Sequence, residues 1–209
     1  MGNRSTGALK NTLCRPTPTL GINGNTTGFS MIFAKAGPRE LPEIILLKES
    51  CIARMRESGI DQWDDIYPKA DVLSGDCVAG DLLVLRNIKL QLIGCATLNR
   101  TQSPKYQEID WLFKREPIGV IHRLMISPEF QGKGNARILM GHLEVEAQQR
   151  GYHGIRLDAY LRNPAALKLY VTLGYRRAGL VEFRKGSFAC YEKRLSEPRS
   201  ATTAVNPPR

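Results

Sequence analysis

The candidate catalytic and ligand-binding residues of this sequence lie between positions 120 and 175. At their centre is the glycine-rich run QGKGNA at residues 131–136, which follows an apolar stretch and precedes a helical pattern. At a helix N-terminus, unpaired N–H groups and the positive end of the helix dipole converge, and small residues let a phosphate approach the backbone closely. Lys133 adds a flexible positive charge. The run therefore predicts a binding site for a phosphate-bearing ligand.

A strand and a helix must hold this loop between them. Residues 120–126 are an apolar run of strand length, which Pro128 ends because proline cannot donate to a strand ladder. After the loop, apolar residues between positions 136 and 147 recur at helical spacing, and Gly151 is a typical stop. The glycines are therefore expected at the N-terminus of a helix.

A second strand and a second helix follow. Apolar and polar residues alternate over residues 155–160, as in a half-buried strand. Asn163 is a favourable N-cap, Pro164 suits the first helical position, and Gly174 suits the end of the helix. The predicted order is strand, glycine loop, helix, strand, helix.

Two other phosphate-binding motifs compete for the same loop. A P-loop needs Ser or Thr after its lysine, and Gly134 stands there instead. A dinucleotide-binding GxGxxG fits Gly132 and Gly134, and Asp158 ends the following strand, but Arg137 occupies the third small-residue position. The glycines also come several residues after the strand. A dinucleotide-binding oxidoreductase therefore stays as an alternative.

The loop and its surroundings resemble the GCN5-related N-acetyltransferase (GNAT) superfamily. Its acyl-CoA loop reads Gln or Arg, two residues, Gly, one residue, then Gly or Ala, and Gln131, Gly134 and Ala136 fill this pattern. The resemblance covers about residues 33–194. It includes the Ile-Ser-Pro end of the strand before the loop and, at family-like spacing after it, Asn163, Ala166, Tyr170 and the Leu-Gly-Tyr turn at 173–175.

The resemblance, the motif order and the alternation of strands and helices predict an α/β fold. Its sheet would be mixed and mainly antiparallel, with six or seven strands, flanked by helices and splayed beside residues 120–126, where acyl-CoA would enter. The remaining elements are expected as a short strand at 33–34, helices over 41–59 and 70–80, strands at 82–86 and 90–97, and closing strands at 179–183 and 188–195.

The resemblance also implies acetyl-CoA as the acetyl donor and assigns its binding residues. The pyrophosphate would lie on the backbone of the glycine loop, and main-chain groups of the preceding strand would pair with the pantetheine arm. Met125 would supply the oxyanion-binding N–H, and Tyr170 would be the general acid that protonates the leaving thiolate. The expected cofactor-binding residues are Leu124, Met125, Ile126, Gln131, Gly132, Lys133, Gly134, Asn135, Ala136, Asn163, Ala166 and Tyr170.

The general base is less well defined by the sequence. Histone acetyltransferases of this superfamily use a glutamate that aligns with Val120 here, so this chain departs from them. His122 lies two residues on and shares that strand face, and Asp158 ends the neighbouring strand. His122 is a catalytic candidate, with a structural histidine and proton loss through water as the alternatives.

Residues 60–68 are dense in aromatic and acidic residues and are the candidate acceptor site. Trp63 and Tyr67 could hold a cationic amine by their ring faces, and Asp61 by its charge. Equally, Trp63 and Tyr67 could fill the edge of the core while the aspartates are solvated. Trp111 could line the same pocket, but the favoured interpretation is a buried anchor under a loop.

Composition bounds the remaining possibilities. The chain has 209 residues, 42% of them hydrophobic, and a net charge of +10, but no basic run is interleaved with aromatics, so we expect no nucleic-acid partner. No stretch approaches a membrane span, and five scattered cysteines without CxxC pairs predict neither a disulfide framework nor a metal site. A cytoplasmic location is therefore expected.

Together these features predict a disordered arm over residues 1–30, a GNAT domain over residues 31–195 and a disordered tail over residues 196–209. The expected activity is direct acetyl transfer from acetyl-CoA to a primary amine, which is a small cationic amine, an amino acid or an amino group of a peptide or protein. A homodimer is compatible with this interpretation. A non-catalytic acyl-CoA sensor is the main alternative, although such a protein could dispense with Tyr170.

Overall fold

The computed structural model describes residues 31–114 and 116–196. The arm expected over residues 1–30 and all but the first residue of the expected tail lie outside the described residues, so those expectations stay predictions.

Seven strands form one twisted sheet, as expected from the sequence. The spatial order is β1-β2-β3-β4-β5-β7-β6, and each neighbouring pair is antiparallel except β4 and β5, which are parallel. This confirms the predicted mixed, mainly antiparallel α/β sheet. The strands are β1 (Met31–Lys35), β2 (Leu82–Asn87), β3 (Leu92–Asn99), β4 (Ile118–Ile126), β5 (Gly154–Tyr160), β6 (Arg176–Phe183) and β7 (Gly186–Arg194).

Four helices cover the two faces of the sheet: α1 (Leu41–Glu57), α2 (Ala70–Val78), α3 (Asn135–Gln149) and α4 (Pro164–Thr172). One core cluster joins α1 and α2 to residues of β2, β3 and β4. A larger cluster joins α3 and α4 to the other face of the sheet. None of these described helices has the length and hydropathy needed to cross a bilayer.

A third cluster covers the end of the sheet near β6. It packs a 3₁₀ turn at Pro104–Glu108 and the segment after it against β4, β5, β6 and β7. Trp111, which the sequence analysis considered for the acceptor pocket, lies in this cluster. The polar segment between β3 and β4 is thus folded onto the sheet.

Some element boundaries differ from the predicted ones. The second helix ends at Val78, two residues early, because the chain turns at Gly80 with a positive φ of 71°. Strand β3 begins at Leu92 rather than residue 90, since Leu90 lies in the turn with a φ of 63°. Strand β4 begins at Ile118, two residues before the predicted start.

The sheet opens between its two parallel strands. Pairing of β4 with β5 covers residues 118–120 against residues 154–156, and the strands diverge beyond that point. On its other edge, β4 carries a bulge against β3. His122 pairs with Thr97 and Met125 with Cys95, so β4 has two residues in the interval where β3 has one. Arg123, at this bulge, has a left-handed φ of 52°. The opening and the bulge lie side by side.

Candidate active site

A cavity of about 880 Å³ fills the opening between β4 and β5. Its wall is made by α1, the loop after α1, β4, the glycine loop, β5, α4 and the turn between β6 and β7. The site residues expected from the sequence mostly converge here. Those that line the cavity are Trp63, Tyr67, His122, Leu124, Met125, Ile126, Gln131, Gly132, Gly134, Asn135, Ala136, Asn163, Ala166 and Tyr170.

The glycine loop forms one end of the cavity. Gly132 and Gly134 have φ values of 71° and 81°, and a Cβ placed on either would have no neighbouring atom within 4 Å. The loop is held by Gln131, whose Nε2 donates to the Ile126 carbonyl at 2.9 Å, and by buried Asn135, whose Nδ2 donates to the Phe130 carbonyl at 2.8 Å. The backbone at the start of α3 therefore faces open space and fits a phosphate group.

Two basic side chains near this loop are placed differently from expectation. Lys133 turns back on the loop, where its Nζ donates to the Glu129 carbonyl at 2.8 Å and lies over the Phe130 ring, and it is outside the cavity lining. Arg137, one turn into α3, does line the cavity. The sequence analysis noted Arg137 only as a departure from a dinucleotide motif. Its exposed guanidinium is available to an anionic group at this end.

Residues 124–126 of β4 border the middle of the cavity together with Cys51 of α1. The Cys51 thiol donates to the Ile126 carbonyl, with an Sγ–O distance of 3.4 Å. Burial raises the pKa of this thiol to about 12, although the hydrogen bond opposes the shift. Cys51 is therefore protonated at neutral pH and is a poor nucleophile.

Tyr170 approaches the cavity from α4. Asn163 caps this helix by accepting from the Ala166 N–H at 3.1 Å, and its Nδ2 donates to Gln62 of the opposite loop at 3.1 Å. The Tyr170 ring is 6% exposed. Burial raises its pKa above the ordinary value, and the Asp158 carboxylate raises it further. The phenol is thus held in its protonated form.

A carboxylate lies at the other end of the cavity. Asp158 of β5 is partly buried, lines the cavity and accepts a hydrogen bond from the Tyr106 hydroxyl, with an O–O distance of 2.8 Å. Removal from water raises the Asp158 pKa, and the hydrogen bond from Tyr106 opposes this shift. The carboxylate is therefore more basic than one in water, which suits a proton acceptor.

Tyr106 is fixed by the folded segment between β3 and β4. Its carbonyl accepts the Trp111 indole N–H at 2.8 Å, and the Trp111 ring stacks against the Arg156 guanidinium. Buried Glu192 accepts the backbone N–H groups of Leu112 and Phe113 at 3.0 and 3.1 Å. Trp111 is thus a buried anchor behind Tyr106, outside the cavity lining.

His122 lines the cavity, but its imidazole is hydrogen-bonded to other residues of the protein. Its Nε2 lies 3.0 Å from the Thr101 carbonyl and 3.2 Å from the Asn99 Oδ1, so this nitrogen carries a proton and donates. Burial, followed by the nearby Arg123 charge, lowers the His122 pKa to about 4. The imidazole is neutral at physiological pH.

The aromatic and acidic segment after α1 divides into two parts. Trp63 is buried and Tyr67 is half exposed, and both line the cavity. Asp61 lies outside the lining, 2.8 Å from the Lys185 Nζ. Asp64 also pairs with Lys185, and this contact, with Arg184 second, lowers the Asp64 pKa. These two acids are committed to ion pairs with the β6–β7 turn.

The chemistry available to the cavity follows from these placements. A backbone cradle for phosphate stands at one end, and a protonated phenol and a carboxylate with a raised pKa line the same cavity. Within the described part of the chain, no cluster of three metal-binding side chains exists. An acid and a base that share one cavity are suited to a group transfer between two bound substrates.

Comparison with protein families identifies one match. Residues 52–175, more than half of the chain, match the model of the acetyltransferase (GNAT) family. A segment of 58 residues is 34% identical to [Ribosomal protein bS18]-alanine N-acetyltransferase from Salmonella typhimurium. That segment is 28% of this chain and spans 39% of the length of that relative.

Solved structures share the fold over most of the chain. An acetyltransferase of the GNAT family from Streptococcus agalactiae 2603 is 26% identical, with a TM-score of 0.72, and the match covers 80% of this chain and 96% of that chain. The protein yncA from Salmonella typhimurium, solved with its cofactor acetyl-CoA, is 19% identical with a TM-score of 0.59, over 81% of this chain and 96% of that chain.

Proposed function

This chain belongs to the acetyltransferase (GNAT) family, and we propose that it is an acetyl-CoA-dependent N-acetyltransferase that moves the acetyl group directly to a primary amine. One observation carries the proposal. A single cavity joins the backbone cradle of the glycine loop, the protonated phenol of Tyr170 and the carboxylate of Asp158. A phosphate-bearing donor and an amine would therefore meet between an acid and a base.

The cofactor end would hold acetyl-CoA, which supplies the acetyl group as a thioester. The backbone of residues 131–136 faces open space at the start of α3 and would bind the pyrophosphate, with Arg137 beside it. Residues 124–126 would pair through their main chain with the pantetheine arm, and the Met125 N–H would donate to the developing oxyanion. The protein yncA, which has the same fold and was solved with its cofactor acetyl-CoA, supports acetyl-CoA as the ligand.

Asp158 and Tyr170 would manage the protons. Asp158 takes a proton from the incoming ammonium, since only the neutral amine has the electron pair that forms the new C–N bond. When the C–S bond breaks, the Tyr170 hydroxyl donates its proton to the departing thiolate, and the second proton lost from the nitrogen of the new amide restores the phenol. The raised pKa of Asp158 improves it as a base, and the raised pKa of Tyr170 keeps it protonated until the thiolate forms.

Direct transfer agrees with the state of the thiols. Burial raises the pKa of both Cys51 and Cys190 to about 12 and raises the pKa of Cys95 as well. Cys51, which lines the cavity, is protonated and so is a poor acyl carrier.

The described cysteines are free thiols, which supports a reducing compartment such as the cytoplasm. The relative named as an alanine N-acetyltransferase supports an amine as acceptor.

The proposal is tested by amine-dependent release of CoA from acetyl-CoA. Pools of amino acids, polyamines, aminoglycosides and short peptides are each added to the wild-type protein and to Tyr170→Phe. We expect release in at least one pool, with turnover lowered roughly a hundredfold or more in the variant while acetyl-CoA affinity stays unchanged. Release in no pool, from protein that calorimetry shows does not bind acetyl-CoA, would overturn the proposal.

A further inference from the structure

Two segments that are far apart in sequence meet at one wall of the cavity. They are the loop after α1 and the turn between β6 and β7, and their contacts join side chains 120 and 124 positions apart. We infer that the tip of the β6–β7 hairpin, residues 183–186, is a flap over the adjoining part of the cavity, the acceptor end, and that Asp61 and Asp64 fasten it. The flap is a feature of the fold, whereas its part in acetyl transfer rests on the proposed function.

The fastening is a small network of ion pairs. The Lys185 Nζ lies 2.8 Å from an Asp61 carboxylate oxygen and 2.9 Å from one of Asp64, and the Arg184 Nη2 lies 2.8 Å from both carboxylate oxygens of Asp64. The side chains of Asp64 and Lys185 are 16% and 18% exposed. Ion pairs that share partners and are partly shielded from solvent are stronger than isolated pairs on an open surface. These contacts therefore hold the two segments together.

The ion pairs stand in the wall of the cavity. Arg184 and Lys185 line the cavity, whereas Asp61 and Asp64 lie outside its lining. The two cations therefore have the cavity on one side and the carboxylates on the other. Phe183, which precedes the turn, also lines the cavity. Movement of the hairpin tip away from the loop would open this wall to solvent.

The loop after α1 is the fixed side of this contact. Trp63 is buried in the core cluster that joins α1 and α2 to the sheet. The Gln62 Oε1 accepts a hydrogen bond from the Asn163 Nδ2 at 3.1 Å. The Asp64 Oδ1 accepts two backbone N–H groups of its own loop, at 3.0 and 3.2 Å. The loop is thus held in place by contacts other than those with the turn.

The hairpin tip is the side that can move. β6 is an edge strand of the described sheet, and Val181 is its one buried residue. The turn itself consists of Arg184 and Lys185, since Phe183 pairs with Gly186. Segments with few buried side chains open at a lower free energy than the core does. Loss of the ion pairs with the loop is therefore expected to favour opening of the tip.

A closed flap has a definite role if the cavity transfers acetyl groups. It would keep water away from the thioester of acetyl-CoA, and it would open to admit an acceptor. With the fastening weakened, water would reach the thioester more often. Water would then add to the carbonyl carbon, the C–S bond would break, and acetate and CoA would leave. The flap would thus protect acetyl-CoA from hydrolysis.

Asp64→Asn is the variant that weakens the fastening most selectively. The amide keeps an oxygen for the two N–H groups of its own loop but carries no negative charge for Arg184 and Lys185. Asp110→Asn is the matched control, because the ion pair of Asp110 with Lys114 is exposed and lies outside the cavity lining. The same change of charge is thus made at both positions.

The first measurement is limited proteolysis with trypsin, which requires no catalysis by the protein itself. Trypsin cleaves after Arg184 and Lys185, and cleavage of a transiently opened segment follows the population of the open form. Mass spectrometry identifies the cleaved site, and the rate is expressed relative to cleavage after Arg150, at the end of α3, which reports general unfolding. We expect this relative rate to be about fivefold higher in Asp64→Asn than in wild type and unchanged in Asp110→Asn.

The second measurement is the release of CoA from acetyl-CoA when no amine is present. The same three proteins are compared at saturating acetyl-CoA. We expect hydrolysis to rise about fivefold in Asp64→Asn, in proportion to the open population, and to stay at the wild-type level in Asp110→Asn.

The outcomes separate this inference from the proposed function. If the relative rate of cleavage at the tip is the same in wild type and Asp64→Asn, the acids do not fasten the hairpin and the inference is overturned. If cleavage increases but hydrolysis of bound acetyl-CoA does not, the flap does not cover the acceptor end and that part of the inference fails. If the wild-type protein binds no acetyl-CoA, the proposed function fails, while the proteolysis still decides whether the flap exists.

Discussion

The two ends of the cavity are built in different ways. At the cofactor end, backbone groups would bind the ligand. Residues 124–137 form one continuous segment, and the hydrogen bonds that hold it join residues five positions apart, such as Gln131 and Ile126. At the acceptor end, side chains from distant segments would bind the ligand. Tyr106 and Asp158 are 52 positions apart, and Arg184 and Asp64 are 120 apart.

Because of this difference, a sequence motif marks the cofactor end, whereas no motif marks the acceptor end. A backbone cradle depends on residues that permit a conformation, such as glycine with a positive φ, so it can tolerate changes in its neighbours. A site made of side chains depends on the identity of each one. The cofactor end can therefore stay the same while a different set of side chains selects a different amine. The variants below test this division of roles between the two ends.

The largest effect is expected from Asp158→Asn at the acceptor end. The amide keeps the shape of the carboxylate but cannot accept a proton, so turnover should fall roughly a hundred- to a thousandfold. Initial rates of CoA release measure this. Asp110→Asn is the matched control because that carboxylate is 96% exposed and is not part of the cavity lining. Turnover within threefold of wild type for Asp158→Asn would assign the proton to water or to another group.

A smaller effect is expected from Gly134→Ala at the cofactor end. At a φ of 81°, a Cβ costs roughly 1–2 kcal/mol even though no atom lies within 4 Å of it. The loop should distort, and affinity for acetyl-CoA should weaken roughly tenfold, with little change in kcat. Calorimetry gives the affinity. Gly141→Ala, within α3 and with equally open space, serves as the control; equal losses in both variants would remove the special role of the loop.

Tyr106→Phe should shift the pH profile without abolishing activity. The hydrogen bond from Tyr106 lowers the Asp158 pKa against the effect of burial, so its removal lets that pKa rise. A base works only above its own pKa, and activity should therefore be lost at a higher pH as the solution is acidified. The acid limb of kcat/KM against pH reports this shift. A limb that stays in place, or moves to lower pH, would show that Asp158 does not set it.

The smallest effect is expected from His122→Gln. Since its pKa is about 4 and its Nε2 donates to Thr101, the imidazole is neutral and engaged at neutral pH. Glutamine retains a hydrogen-bond donor, so kcat should stay within about twofold of wild type. The acid limb of the pH profile should stay at the same pH. A large loss of kcat, together with a displaced acid limb, would make His122 the base in place of Asp158.

The fold was largely predictable from the sequence. Apolar alternation located the strands, and Asn163, Pro164 and Gly174 located the last helix, because these signals act over a few residues. Some boundaries moved where a turn has a positive φ, as at Leu90, whereas β4 simply begins two residues earlier than predicted. Signals within a few neighbouring residues thus predicted the helices and strands, and they also predicted the cradle of residues 131–136.

The acceptor end was less predictable because contacts far apart in sequence decide it. The acidic residues after α1 indicated a cationic amine as the acceptor. Asp61 is instead paired with Lys185, which lies 124 positions later in the sequence. Trp111 proved to be a buried support for Tyr106, and Lys133 folds back on its own loop. The bulge that orients Arg123 has no glycine to mark it in the sequence.

The division of roles is tested most directly by measuring acetyl-CoA affinity and acetyl transfer on the same samples of wild type, Asp158→Asn and Gly134→Ala. The prediction is that Asp158→Asn binds acetyl-CoA as wild type does and loses transfer, while Gly134→Ala loses affinity and keeps most of its kcat. If Asp158→Asn transferred acetyl groups at the wild-type rate, or lost acetyl-CoA binding as well, the assignment of the two ends would be contradicted.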